Sequence, residues 1–231
     1  MKVEIYSDVA CPWCYVGERR FARALGAFPQ AEGVEVTFRP YQLDPSLPAT
    51  PSPLRESLTR KFGAQLDAML RQTATTAAAD GLDLQFDRAQ SVNTLEAHRL
   101  MRLALREGGP DVQRALAEGL FRAYFTDGLN VADPDVLADL AAEAGLDRER
   151  AAAYLATDEG AEEVEKEIAH AQRLGIRAVP TFVFDGRYAV QGAQPTSTFL
   201  QVLEEVQREA AGAVVGGEGD AEACDDGACA V

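Results

Sequence analysis

Basic residues are in short supply: 22 Lys and Arg stand against 37 Asp and Glu, a formal charge of -15 over 231 residues. A surface of that sign repels polyanions, so the sequence excludes a nucleic-acid binder that works through phosphate contacts. Long apolar runs are also missing. None approaches the roughly 18 residues that cross a bilayer, and neither a basic leader nor an apolar signal core precedes the first strand-like segment. The expectation is a soluble, cytoplasmic protein without a membrane partner. Histidine occurs only twice, at His98 and His170. Two isolated imidazoles make no conventional metal centre, and none is expected. Neither a phosphate-binding G-x-x-x-x-G-K, nor an H-E-x-x-H, nor a repeat of solenoid length is present.

Cysteine is scarce as well, and its placement matters more than its number. The four occur as two close pairs, Cys11/Cys14 and Cys224/Cys229, with none in the long middle. A framework of structural bridges is thereby disfavoured, and a chain of this length buries enough core to do without one. Cytosolic thiols are kept reduced, so a disulfide there is usually transient, catalytic or sensory. The apolar fraction of 47% and charged fraction of 26% are ordinary for a globular protein.

Val3 and Ile5 alternate in a short strand from Val3 to Tyr6, followed by Ser7, Asp8 and the run Cys11-Pro12-Trp13-Cys14. Phe21, Leu25 and Phe28 then share one face of a helix whose Glu18, Arg19 and Arg23 should look outward. Val34, Val36 and Phe38 alternate in a second strand ending at Arg39, completing a βαβ unit with parallel strands. After a proline-rich connector from Pro40 to Pro53 come about 120 residues of helical pattern. One stripe is Leu54, Leu58, Phe62, Leu66 and Met69; another is Leu95, Met101 and Leu105; a third is Val112, Leu116 and Leu120; later ones run through Val136 and Val164. Asp133-Pro134 and Gly145 bracket a helix. Beyond Gly175, Thr181 to Phe184 and Tyr188 to Gln191 flank Asp185-Gly186, a tight-hairpin signal. Pro195 opens a closing helix with Phe199, Leu203 and Val206 inward. The result is an α/β chain with a βαβ unit, a helical insertion and a ββα unit.

The first cysteine pair sits where a helix begins. Unpaired N–H groups there favour a thiolate, the proline needs no donor, and two intervening residues bring Cys14 round to Cys11. Cys11 attacking a disulfide and Cys14 resolving the mixed disulfide is the cycle this spacing permits. Trp13 adds a bulky aromatic that can shape a substrate groove. Half of a zinc site is the competing reading, which Cys224 and Cys229 would have to complete. His98, on an apolar face with Met101, reads as a satisfied core histidine, and His170 as exposed. Glu162, Glu163, Glu165 and Glu167 read as a solvated face, and Phe121, Tyr124 and Phe125 as core.

With SDVACPWCYVG near the start, a long helical insertion and GIRAVPTFVFDGRYAVQGAQP near the end, nearly the whole chain resembles the DsbA family of the thioredoxin superfamily. SVNTLEAHRL and the C-x-x-x-x-C near the C-terminus make it most similar to the FrnE-type branch. The resemblance implies a thioredoxin-like fold with residues 1–50 and 175–210 as two parts of one domain. It makes 51–174 an inserted helical subdomain and 211–231 a flexible acidic tail. It implies a disulfide oxidoreductase, reductase or isomerase, with Pro180 as a cis-proline beside the cysteines and Val179 free to pair with a bound peptide strand. Protein or small-molecule disulfides and thiols are the expected partners, with glutathione or thioredoxin recycling the pair and no bound cofactor. Cys224 and Cys229 are candidates for an internal redox relay. The alternatives are a glutathione-dependent isomerase or transferase of the same fold, and a redox- or zinc-sensing module.

Overall fold

A computed structural model describes residues 1–215, and side chains up to residue 211. Cys224 and Cys229, with the tail they belong to, lie outside the described residues. Strand β1 (Lys2–Ser7) leads into helix α1 (Pro12–Ala27) and strand β2 (Glu35–Pro40). A two-residue strand, β3 (Ser52–Pro53), precedes α2 (Leu54–Phe62) and α3 (Leu66–Ala79), and β4 (Gln90–Ser91) precedes α4 (Leu95–Arg122). Helices α5 (Pro134–Glu143), α6 (Arg148–Leu155) and α7 (Ala161–Arg173) follow. Strands β5 (Thr181–Phe184) and β6 (Tyr188–Gln191) and helix α8 (Thr196–Val215) complete the described residues.

The main sheet has the order β2-β1-β5-β6. Strand β1 runs parallel to β2, with Ile5 opposite Phe38, and antiparallel to β5, with Ile5 opposite Phe182. The hairpin is where the Asp-Gly signal put it: Asp185 and Gly186 both take positive φ, 48° and 66°, the turn that matches strand twist. Lys2 N–H also donates to the Asp185 carboxylate at 2.6 Å, tying the turn to the start of β1. Helices α1 and α8 pack on each other, and Phe21, Phe182, Phe184 and Phe199 meet between them and the sheet. Their centroids lie 4.5 to 6.2 Å apart, mostly in tilted or edge-on pairs, which the ring quadrupole favours. The β2 edge is covered by a side chain. Buried Gln113 accepts from Phe38 N–H at 2.8 Å and donates to Phe38 C=O at 3.1 Å, imitating a neighbouring strand.

Several expectations need correction. The stripe from Leu54 to Met69 is two helices broken at Gly63, and Phe62 and Met69 stand exposed. The stripes through Leu95 to Leu105 and Val112 to Leu120, by contrast, do lie on two helical segments of α4, joined at a break where Gly109 takes a φ of 81° and Pro110 has no N–H to give. Val34 lies outside β2, and Pro195 caps α8 from outside by accepting from Thr198 N–H. Glu167 is a bridge and not a solvated carboxylate, pairing with Arg102 and Arg39.

Glu18 departs furthest from its reading. It is 2% exposed, because α4 brings Arg114 against it, and one of its oxygens has no hydrogen-bond partner. Burial first, then Glu118, raise its pKa against the pull of Arg114 and Arg19. The folded chain therefore keeps the Glu18 proton to higher pH than the unfolded chain. Stability falls as pH climbs from the ordinary glutamate range, about 4.3, through the raised value. A Glu18→Gln variant should melt above the wild type near pH 8, with the advantage vanishing near about pH 4. Equal melting temperatures at both would mean that Arg114 fully compensates the buried charge.

Candidate active site

Cys11 is the N-cap of α1 and Pro12 its first residue, so the first turn presents its N–H dipoles around the Cys11 sulfur. The turn is held from behind by Asp8, itself 2% exposed. Its backbone carbonyl accepts from Cys11 N–H at 3.0 Å. Its carboxylate accepts from Ala10 N–H at 3.3 Å and from Leu43 N–H at 2.7 Å, fixing the proline-rich connector to the cysteine loop. The quoted run contained Asp8, but spacing gave it no role; an acid three residues before the first cysteine was the available signal.

Both cysteines are free thiols and both are buried, Cys11 at 5% and Cys14 at 2% exposure. Exposure therefore does not rank them, but their surroundings do. Burial pushes the Cys14 thiol well up, and hydrogen bonding and charge from Cys11 push it further. Ser7 and the Asp8 backbone pull the other way. Cys14 is thus the thiol that burial holds in its protonated form.

The cis peptide at Val179-Pro180 faces this pair, and the Cys11 thiol donates to Val179 C=O at 3.7 Å. Val179 N–H donates to no group among the described residues, whereas Pro180 C=O is engaged by Gly192 N–H at 2.7 Å. Helix α1 must approach this loop closely. A Cβ on Gly17 would lie 2.9 Å from Pro180 Cγ, which explains a glycine three residues past Cys14. Trp13 is 38% exposed at the rim. Cys11, Cys14, Val179 and Pro180 are therefore brought together, with Trp13 beside them. His98 is 4% exposed as expected of a core residue, yet it is not satisfied: Nε2 has no hydrogen-bond partner and sits 3.5 Å from Asp8 Oδ1.

A paired thiol at the start of α1, opposed by a cis-proline loop on a β2-β1-β5-β6 sheet, defines a thioredoxin-like thiol-disulfide protein. The DSBA-like thioredoxin domain matches residues 2–204, and the chain belongs to that family of oxidoreductases. The probable DsbA oxidoreductase SCO1869 of Streptomyces coelicolor superposes with a TM-score of 0.81 at 38% identity, covering 100% of this chain and 96% of that one. The uncharacterized protein YwbO of Bacillus subtilis strain 168 is 27% identical over 214 residues, 90% of this chain and 98% of its own. The cytosolic disulfide reductase DsbM of Pseudomonas aeruginosa, in a structure with GSH, shares the fold at a TM-score of 0.64 and 22% identity, over 90% of this chain and 100% of that one. No helix among the described residues is long and apolar enough to cross a membrane.

Proposed function

We propose that this chain is a cytoplasmic disulfide reductase or isomerase acting on protein or small-molecule disulfides. Cys11 is the nucleophile and Cys14 the resolving thiol. One observation carries the reading: two free thiols three residues apart at the head of α1 face the cis Val179-Pro180 peptide, and burial raises the Cys14 thiol. Cys11 thiolate attacks a substrate disulfide and forms a mixed disulfide, expelling one substrate thiolate. Cys14 then attacks Cys11 Sγ, closing the Cys11-Cys14 disulfide and releasing the second thiolate. Two glutathione thiols, or the dithiol of thioredoxin, reopen the pair and leave as a disulfide, and no bound cofactor is needed. Val179 N–H is unengaged and beside Cys11, as strand-like pairing to a bound peptide requires. Pro180 frames that strand, and Trp13 supplies an aromatic lip.

The direction of transfer is supported by DsbM, a cytosolic reductase of the same fold, and by the scarcity of cysteine in the chain. Glutathione as the recycling thiol, membership of the FrnE-type branch and a relay through Cys224 and Cys229 belong to the same proposal. Its test is the reduction potential of the Cys11/Cys14 couple in a glutathione buffer, for the wild type and a variant with both tail cysteines changed to serine. A value near the -270 mV of thioredoxin, to within about 40 mV, is expected. A value near the roughly -120 mV of DsbA would make the protein an oxidant, and a pair that never oxidises would overturn the redox reading. Identical turnover and identical Cys11 oxidation without the tail cysteines would remove the relay.

A further inference from the structure

Where helix α7 ends and the chain turns towards Val179 lies an open depression of about 350 Å³, lined by Tyr41, Gln172, Ile176 and Arg177. Sites that take small molecules begin at roughly 300 Å³. Both walls of the depression are joined to the cysteine site. Tyr41 N–H donates to Ser7 C=O at 3.0 Å, at the end of the strand that leads into the cysteine loop. Arg177 precedes Val179 by two residues, and Val179 C=O lies 3.7 Å from the Cys11 sulfur.

The lining favours an anion. The Arg177 guanidinium, the Gln172 amide and the Tyr41 hydroxyl can each donate, and no acid lines the depression. In a chain of 37 acidic and 22 basic residues that is a local exception. The depression between α1, β2 and the bend of α4, by contrast, is lined by Glu32, Glu35 and Asp111. Arg39 and Arg102 are held by Glu167, whereas exposed Arg177 has no acidic partner among the described residues. Nor does Arg177 cap α7. Cations near a helix C-terminus often bond its last carbonyls, but Leu174, Gly175 and Ile176 N–H already engage those of His170, Gln172 and Ala171 at 3.0 to 3.1 Å. Asp44, three residues past Tyr41, is turned into its own loop, where it accepts from Ser46 N–H and hydroxyl.

We propose that Arg177, with Gln172 and Tyr41, forms a carboxylate subsite that favours disulfides carrying an acidic group one residue beyond the sulfur, as the glycyl carboxylate of glutathione does. This rests on Cys11 as the attacking thiol and on strand-like pairing at Val179, and it adds the part of the substrate that is read by charge. A substrate cysteine pairing antiparallel to Val179 sets its next residue against Ala178, since the two chains advance about 3.3 Å per residue in opposite directions. In glutathione that next residue is the terminal glycine, and its carboxylate falls within reach of a long side chain at 177. A guanidinium can take both carboxylate oxygens at once, which fixes orientation as well as charge. The chain's net charge of -15 repels the same anion elsewhere, so the subsite steers it to one place.

The experiment measures the rate at which disulfides oxidise the reduced full chain, with Cys224 and Cys229 changed to serine, by acid quench, thiol alkylation and intact mass. The mixed disulfide at Cys11 is the same whichever way the exchange runs. Glutathione disulfide is compared with the disulfide of glutathione ethyl ester, whose glycyl carboxylates are blocked. Arg177→Ala should slow the first about fivefold and leave the second unchanged, and the difference should shrink towards 1 M salt. The ester's unchanged rate also shows that the variant is folded, and Arg177→Gln carries the test if the alanine variant is not. Arg177→Lys should recover most of the rate, because the charge returns without the fork. Arg173→Ala removes an equal charge at the end of α7 but outside the depression, and it should have little effect. An equal loss with the ester, or an Arg173→Ala loss as large as that of Arg177→Ala, would overturn the subsite. A disulfide-linked Cys-Glu peptide that loses rate against its Cys-Gln counterpart in Arg177→Ala would extend the subsite to acidic protein substrates. A wild type that neither glutathione disulfide nor its ester oxidises would overturn the redox reading beneath the proposal.

Discussion

Cys11→Ser should lower disulfide turnover by on the order of 10³-fold or more, while Cys14→Ala should accumulate a covalent mixed disulfide at Cys11. The asymmetry follows from where each sulfur sits. Cys11 caps α1 and lies 3.7 Å from Val179 C=O, beside the free Val179 N–H that a substrate strand would use. Cys14 is enclosed by Ser7, Asp8 and Cys11, and burial raises its thiol. A serine at Cys11 keeps the shape of the site but has no ionised form near neutral pH to attack a disulfide. Without Cys14 the first exchange proceeds and the second cannot, so the adduct persists. Intact-mass spectrometry after incubation with oxidised glutathione or a disulfide-bonded protein reads both outcomes. An adduct forming on Cys14 in Cys11→Ser, with turnover near that of the wild type, would reverse the assignment.

What could be read in advance followed local physics. Alternation in Val3 to Tyr6, the Asp185-Gly186 turn and the Asp133-Pro134 helix start each depend on a few adjacent residues, and each is in place. The cysteine site was legible for the same reason, since two residues between thiols at a helix start fix their separation. Contacts joining distant segments were not legible. Glu18 looked outward on a helical wheel, yet α4 brings Arg114 onto it from 96 residues away. Gln113 gave no sign that it would complete the β2 edge 75 residues upstream. Asp8 and His98 meet for the same reason, and only that meeting shows that a histidine read as satisfied core has an unpaired nitrogen beside the site. Phe62 and Met69 fitted an apolar stripe, but Gly63 breaks the helix between α2 and α3 and leaves them in solvent.

Asp80→Ala should cost about 3 kcal/mol of stability, or roughly 6–12 °C in melting temperature for a chain of this size. Asp80 follows α3 and is 6% exposed. Its carboxylate accepts from Arg20 Nε at 2.7 Å and Arg23 Nη1 at 2.9 Å, and its carbonyl accepts from Arg23 Nη2 at 2.9 Å. Arg20 continues the chain of bonds to Ala193 C=O at 2.7 Å, beyond β6. One acid thus ties the cysteine-bearing helix α1 to the end of α3 and, through Arg20, to the segment after β6. Arg23 is half exposed and contributes little, so the cost lies mainly in leaving the Arg20 guanidinium, 19% exposed, without its counter-charge. Pairing Asp80→Ala with Arg20→Met separates the two parts of that cost. Removing both charges should recover much of the loss, because the penalty belongs to the orphaned cation and not to an absent attraction. A double variant no more stable than Asp80→Ala would instead place the stabilisation in the bonds from Arg23 and in the packing of the loop after α3.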